Sequence, residues 1–168
     1  LDALCGIYSI LNSLRILINK MSDRDAMRLF GRCIRHLEKR ESLSKIITSG
    51  MCAGQIWDLL NELVLVKYPK INVERPFYRN GKISIKDYLQ ELRDYFEQGG
   101  KRTVIILVDD GDGRHWTVIQ AVTSKQILLF DSSTMKVINI ARCVVNKKQI
   151  KDNQYKITPS MTFYLYKK

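Results

Sequence analysis

The spacing of apolar residues changes period at Gly99-Gly100, and that change constrains the fold more than any single motif. Ahead of it, Leu4, Ile7, Tyr8, Leu11, Leu14, Leu17 and Ile18 recur every three or four positions, with Asn12, Arg15 and Asn19 on the opposite side. This predicts an amphipathic helix beginning at or just after Cys5. Ser22 and Asp25 form a capping-box pair for a second helix that buries Ala26, Leu29, Phe30, Ile34 and Leu37. A third follows Ser49-Gly50, uses Ile56, Leu59, Leu60 and Leu63, and ends before Pro69. Ile71 to Tyr78 reads as an edge or irregular strand because it contains Pro76. A fourth helix is capped by Ser84, packs Ile85, Tyr88, Leu89, Leu92 and Phe96, and stops at the glycine pair.

Beyond the glycines the residues favour strands. Thr103 to Val108 is a β-branched run, Asp109 to Gly113 is a turn, and His115 to Val122 with Gln126 to Phe130 makes a hairpin around Thr123-Ser124-Lys125. Met135 to Ile140 and Met161 to Tyr166 add strands, while the basic, polar stretch Arg142 to Thr158 reads as a surface loop. Helices first and an antiparallel sheet second predict a single α+β domain over residues 1–168, its N-terminal helices packed on a C-terminal sheet.

A chain of 168 residues can bury a core without disulfide or metal staples. No apolar run approaches the ~20 residues that span a bilayer, and no signal-peptide pattern is present. Cys5, Cys33, Cys52 and Cys143 are scattered and form no CxxC pair, which argues against a structural zinc site or a disulfide scaffold and suits free thiols in a reducing compartment. The formal charge of +11 attracts polyanions, whether nucleic acid, anionic lipid or an acidic protein. Because the chain starts at Leu1 and not at methionine, it reads as a piece of a larger or processed protein.

Three residues carry the chemistry. Cys5 sits at a helix start, where the macrodipole stabilises thiolate over thiol, and Gly6 beside it would leave room for a substrate carbonyl. His115 opens a strand just after a Gly-Asp-Gly turn, whereas His36, the other histidine, falls on the second helix as an exposed or half-exposed residue. Asp131 ends the next strand. A regular hairpin register sets His115 opposite Ser133 and Asp131 one diagonal position away on the same face. A carboxylate there accepts a proton from one imidazole nitrogen and leaves the other facing the thiol. Each residue alone has an ordinary reading: a small buried cysteine, a strand-end histidine, a turn aspartate. Together they support acyl transfer through a thioester, with the backbone N–H of Cys5 a candidate oxyanion donor and no metal or other cofactor required.

The order of these stretches, Asp2-Ala-Leu-Cys5-Gly6, Gly50 to Leu60, His115-Trp116-Thr117-Val118-Ile119 and a strand ending in Asp131, resembles papain-like cysteine peptidases. The nearest resemblance is to those that trim bacteriocin leader peptides, and to related bacterial effector and toxin domains. It implies a papain-like fold with Cys5, His115 and Asp131 as catalytic triad and a peptide or glutamine-type amide as the bond cleaved; Gly6, from its place beside the sulfur, and Trp116, beside the histidine, read as substrate contacts, with the core as the other reading of Trp116. The resemblance also implies a glutamine several residues before the cysteine, a place that falls upstream of Leu1, so no residue carries over for it. For a toxin of this kind it implies delivery into a bacterial cytosol and an acidic inhibitor, or immunity, protein over the cleft.

Other signals read as structural. Asp109 to Gly113 lacks the distal glutamate of a calcium loop, since the twelfth position from Asp110 is Ala121, and is a tight acidic turn whose charge would raise the pKa of His115. Trp57 reads as core. The basic stretches Arg32 to Arg40, Lys67 to Lys82 and Lys147 to Lys156 read as solvated faces and loops. A basic nucleic-acid-binding or nuclease toxin domain, and a non-catalytic papain-like binding module, are the alternatives from other classes.

Overall fold

The computed structural model describes residues 4–79, 81–133 and 135–168; Asp2 lies outside them. The fold is α+β, with the helices concentrated in the N-terminal half: α1 Cys5–Leu17, α2 Asp23–Glu38, α3 Leu43–Ser49, α4 Ala53–Leu59 and α5 Ile85–Glu97. The strands are β1 Ile71–Glu74, β2 Arg102–Asp109, β3 Arg114–Val122, β4 Gln126–Leu129, β5 Val137–Asn139, β6 Cys143–Val145, β7 Tyr155–Ile157 and β8 Phe163–Lys167. They form one sheet in the order β1-β8-β2-β3-β4-β5, with β7 sharing the β8 side of β2 and β6 paired to β7. Every pairing is antiparallel except β6 with β7.

Local chemistry accounts for the helix ends. Ser22 Oγ accepts the Asp25 backbone N–H at 3.1 Å, and Ser84 Oγ does the same for Asp87 at 3.1 Å, each relieving one orphan donor of a first turn. Gly99 and Gly100 both have φ near +74°, a left-handed conformation that ends α5 at little steric cost. The third helix expected from sequence is a composite: α4 runs on without a break as a π-helical segment, Leu60–Leu65.

Strand alternation splits the core in two. Ile105 and Leu107 of β2, with Trp116 and Val118 of β3, face α1 to α4; Val104, Ile106, Val108 and Ile119 face α5, where Tyr88, Leu89, Leu92 and Tyr95 cover them. The sheet is therefore covered on both faces, by α1 to α4 on one side and by α5 on the other. This explains why β2 reads as a continuous apolar run. Arg142 to Thr158 is also corrected: it contains β6 and β7, whose buried Cys143 and Ile157 were masked by the basic residues around them. α3, too short for a periodic signal, was not anticipated.

Helix α1 is the centre of the larger core. Ile7, Ile10, Leu14 and Leu17 are wholly buried, each contributing roughly 1.5–3 kcal/mol relative to exposure. Small residues let neighbours approach closely: a Cβ on Gly6 would lie 2.7 Å from Ile56 Cδ1 and 2.9 Å from Met51 Sδ. Gly6→Ala should therefore overpack this contact and cost about 1–3 kcal/mol. A urea titration should show its midpoint lowered with the slope unchanged; an unchanged midpoint would mean the contact is not tight.

Candidate active site

The β3–β4 hairpin positions the histidine and the aspartate. Its turn is closed by Thr123, whose N–H donates to Gln126 O at 2.8 Å and whose hydroxyl accepts the Lys125 and Gln126 N–H groups. Next to the turn Val122 pairs with Ile127 and Ala121 with Leu128, but a bulge at Gln120 then brings Ile119 opposite Leu129. That register continues to Phe130, whose N–H donates to Val118 O at 2.9 Å. Asp131 follows on the His115 side, and His115 Nε2 lies 2.8 Å from Asp131 Oδ2.

The thiol arrives from the helical layer. Residues 116 and 118 present their backbone polar groups to the β4 side, and beyond Phe130 no β4 residue remains to meet Trp116. Its N–H donates instead to Cys5 Sγ at 3.4 Å, so the sulfur at the start of α1 occupies the end of the ladder. Cys5 is half-buried and the His115 side chain is 27% exposed, whereas the Asp131 side chain is 2% exposed. The thiol and the imidazole therefore face outward and the carboxylate lies beneath them.

Two side chains that sequence reasoning passed over brace the aspartate segment. Asn12, two turns along α1 from Cys5, donates through Nδ2 to Ser132 Oγ at 2.9 Å and to Phe130 O at 3.3 Å. Lys136 Nζ reaches Asp131 O and Ser133 O, each at 3.4 Å. The Ser133 N–H donates to Asp131 Oδ1 at 2.6 Å. The available signal was Asn12 itself, a weak helix former in mid-helix, where a tertiary partner is the usual reason for its presence.

Electrostatics follow the geometry. The hydrogen bond to Asp131 comes first and the Cys5 side chain second in raising His115 to about 10, against the opposing effect of burial. Burial pushes the Asp131 carboxyl up, yet the hydrogen bonds from His115 and Ser133, with Thr117 beside them, outweigh it and hold it well below the usual carboxylate range. With Nε2 committed to an ionised Asp131, Nδ1 is the nitrogen left for the sulfur. The acidic turn is not among the causes. Asp109 pairs with Lys156 at 3.2 Å, and Asp110 accepts the N–H groups of Asp112 and Gly113 within its own loop.

Gly6 and Trp116, expected at the substrate, are placed in the core. Gly6 is buried against Met51 and Ile56, and the Trp116 indole is 2% exposed, packs on Phe163 and donates to Met51 O at 2.8 Å. The close helix-to-sheet approach needs a residue without a side chain at one position and a large flat one at the other. His36 is half-buried, with Nε2 at 3.4 Å from Glu62 Oε2, and Trp57 is partly buried against Phe163. Among the described residues no His, Cys, Asp and Glu group is arranged to hold a metal ion, and no helix is long and apolar enough to cross a membrane. No protein-family model, curated protein or solved structure matches the chain.

The shifts predict how stability depends on pH. Asp131 ionises more readily when folded, so its contribution is in place above its ordinary value of 3.8 and is lost as pH falls below it. His115 holds its proton more tightly when folded, so its contribution is full below 6.5 and is lost as pH rises through about 10. The stability difference between the unaltered protein and Asp131→Asn should be largest between those ordinary values and shrink on both sides. Urea midpoints across pH measure it; a difference independent of pH would contradict the assignment.

Proposed function

We propose that this protein is a papain-like thiol hydrolase in which Cys5 is the nucleophile, His115 the general base and acid, and Asp131 the residue that orients the imidazole. The observation that carries the reading is the position of His115, held by a buried carboxylate through Nε2 and adjacent in β3 to Trp116, whose N–H donates to the Cys5 sulfur. Three groups from α1, β3 and the end of β4 converge there without any shared sequence motif.

In the reaction, Cys5 sulfur attacks the carbonyl carbon of a peptide or glutamine-type amide while its proton resides on His115. The tetrahedral intermediate collapses, the C–N bond breaks, and His115 gives its proton to the departing amine. Asp131 keeps the ring in one tautomer and stabilises the imidazolium. Water, deprotonated by His115, then attacks the thioester, releasing a carboxylic acid and restoring the thiol. An amine in place of water would give transglutamination by the same intermediate.

Thiol labelling tests the assignment. Burial pushes Cys33 and Cys143 each up to about 12 and shields them, which leaves Cys52, exposed at the start of α4, as the competitor. Brief iodoacetamide treatment near neutral pH, read by peptide mass spectrometry, should modify Cys5 about tenfold or more faster than Cys52. His115→Ala should abolish that advantage, and Cys5→Ala should abolish amide hydrolysis while leaving the circular dichroism spectrum and melting temperature intact. Faster labelling of Cys52, or hydrolysis that survives Cys5→Ala, would sink the proposal.

A further inference from the structure

The outer face of α2 carries a charge pattern that the stability of the chain does not explain. Arg24, Arg28, Arg32, Arg35 and Lys39 are all exposed and succeed one another at intervals of three or four residues. On a helix they fall within one narrow stripe about 22 Å long. Among the described residues none of the five forms an ion pair; α2 itself sets only Asp23, Asp25 and Glu38 against them, and of these Glu38 has no ion pair either. Asp23 pairs with Arg15 at 2.7 Å, Asp25 binds Ser22, Asp58 pairs with Arg40, and Glu62 lies against Arg40 and His36. Like charges one turn apart repel, and Arg24 stands in the first turn, where the helix macrodipole disfavours a cation.

A second observation lies in the middle of the stripe. Gly31 is a poor helix residue, and no packing contact requires it: a Cβ there would meet only the Arg35 guanidinium, at 3.5 Å. It leaves a notch where another backbone can come close to the helix. On the other flank of the stripe Arg32, Arg35, His36 and Lys39 line a groove of about 290 Å³ together with Leu63.

We propose that this face of α2 is the docking surface for an acidic polypeptide segment of a partner protein, with carboxylates on the arginine stripe and an apolar side chain in the groove over Leu63. The apolar residue in the groove favours a polypeptide over nucleic acid. No aromatic platform for bases is on offer, since Phe30, the one aromatic of α2, is stacked on Tyr8 with ring centroids 5.7 Å apart. The inference does not depend on the thiol chemistry, because the surface lies on a helix that carries none of the reacting groups.

Fluorescence anisotropy of the intact chain tests it with two probes, a peptide of about twenty residues with leucine at every fourth position among glutamates, and an oligothymidylate of the same length. The peptide should bind more tightly at physiological salt. The triple variant Arg28→Glu, Arg32→Glu, Arg35→Glu should weaken it about thirtyfold or more. The control Lys147→Glu, Lys148→Glu, Lys151→Glu, an equal charge change on exposed residues of another segment, should stay within about threefold. Gly31→Ala keeps every charge; its melting temperature should hold or rise while the peptide binds about fivefold more weakly. Equal losses in the two triple variants, tighter binding of the oligothymidylate, or full affinity in Gly31→Ala would each overturn the proposal.

Discussion

The bulge at Gln120 is a small irregularity on which the candidate site depends. Side chains alternate along a strand, so a shift of one residue moves a whole strand to the opposite face. Near the turn the pairing is one step out from the register that Ile119 and Leu129 adopt. Prolonged without the bulge, that pairing would put Asp131 opposite Val118, on the face of Trp116 and the helical core. The inserted residue turns the carboxylate to the side of His115, where the 2.8 Å contact forms.

A second dependence links the two halves of the chain. The Trp116 N–H needs an acceptor where β4 leaves the sheet, and the Cys5 sulfur supplies one. α1 is held in that position by burial along its length and by Asn12, which binds the segment on either side of Asp131. The same helix thus fixes the sulfur at its first residue and braces the carboxylate two turns later. Burying Asp131 costs solvation, and it is tolerated because both of its oxygens have hydrogen-bond donors.

Much of this was legible in the residues because it rests on local rules. The serine caps of α2 and α5, the glycine stop after Phe96 and the β-branched runs need only neighbouring residues to specify them, and the structure follows them closely. The hairpin arithmetic assumed a regular register, and the pairing next to the turn is one step out from it; the bulge at Gln120, which has no signature in the residue itself, restores the side of the sheet expected for Asp131. What the residues concealed was long-range. The covering of both sheet faces requires knowing where α5 packs, and β6 and β7 borrow stability from β2 that their polar composition hides. Gly6 and Trp116 were read as substrate contacts from their proximity to the reacting groups in sequence. In three dimensions that proximity is used for packing, and only the Trp116 backbone reaches the sulfur.

The central claim is that Cys5 and His115 act together in acyl transfer, and an acyl donor tests it most directly. p-Nitrophenyl acetate, mixed with the protein and quenched in acid at short times, should leave a single acetyl group on Cys5, identified by peptide mass spectrometry and removed by hydroxylamine as a thioester. In the unaltered protein that group should turn over; in His115→Ala it should form far more slowly. Acetylation spread over Cys52 and surface lysines, with no preference for Cys5 and no effect of His115→Ala, would contradict the account.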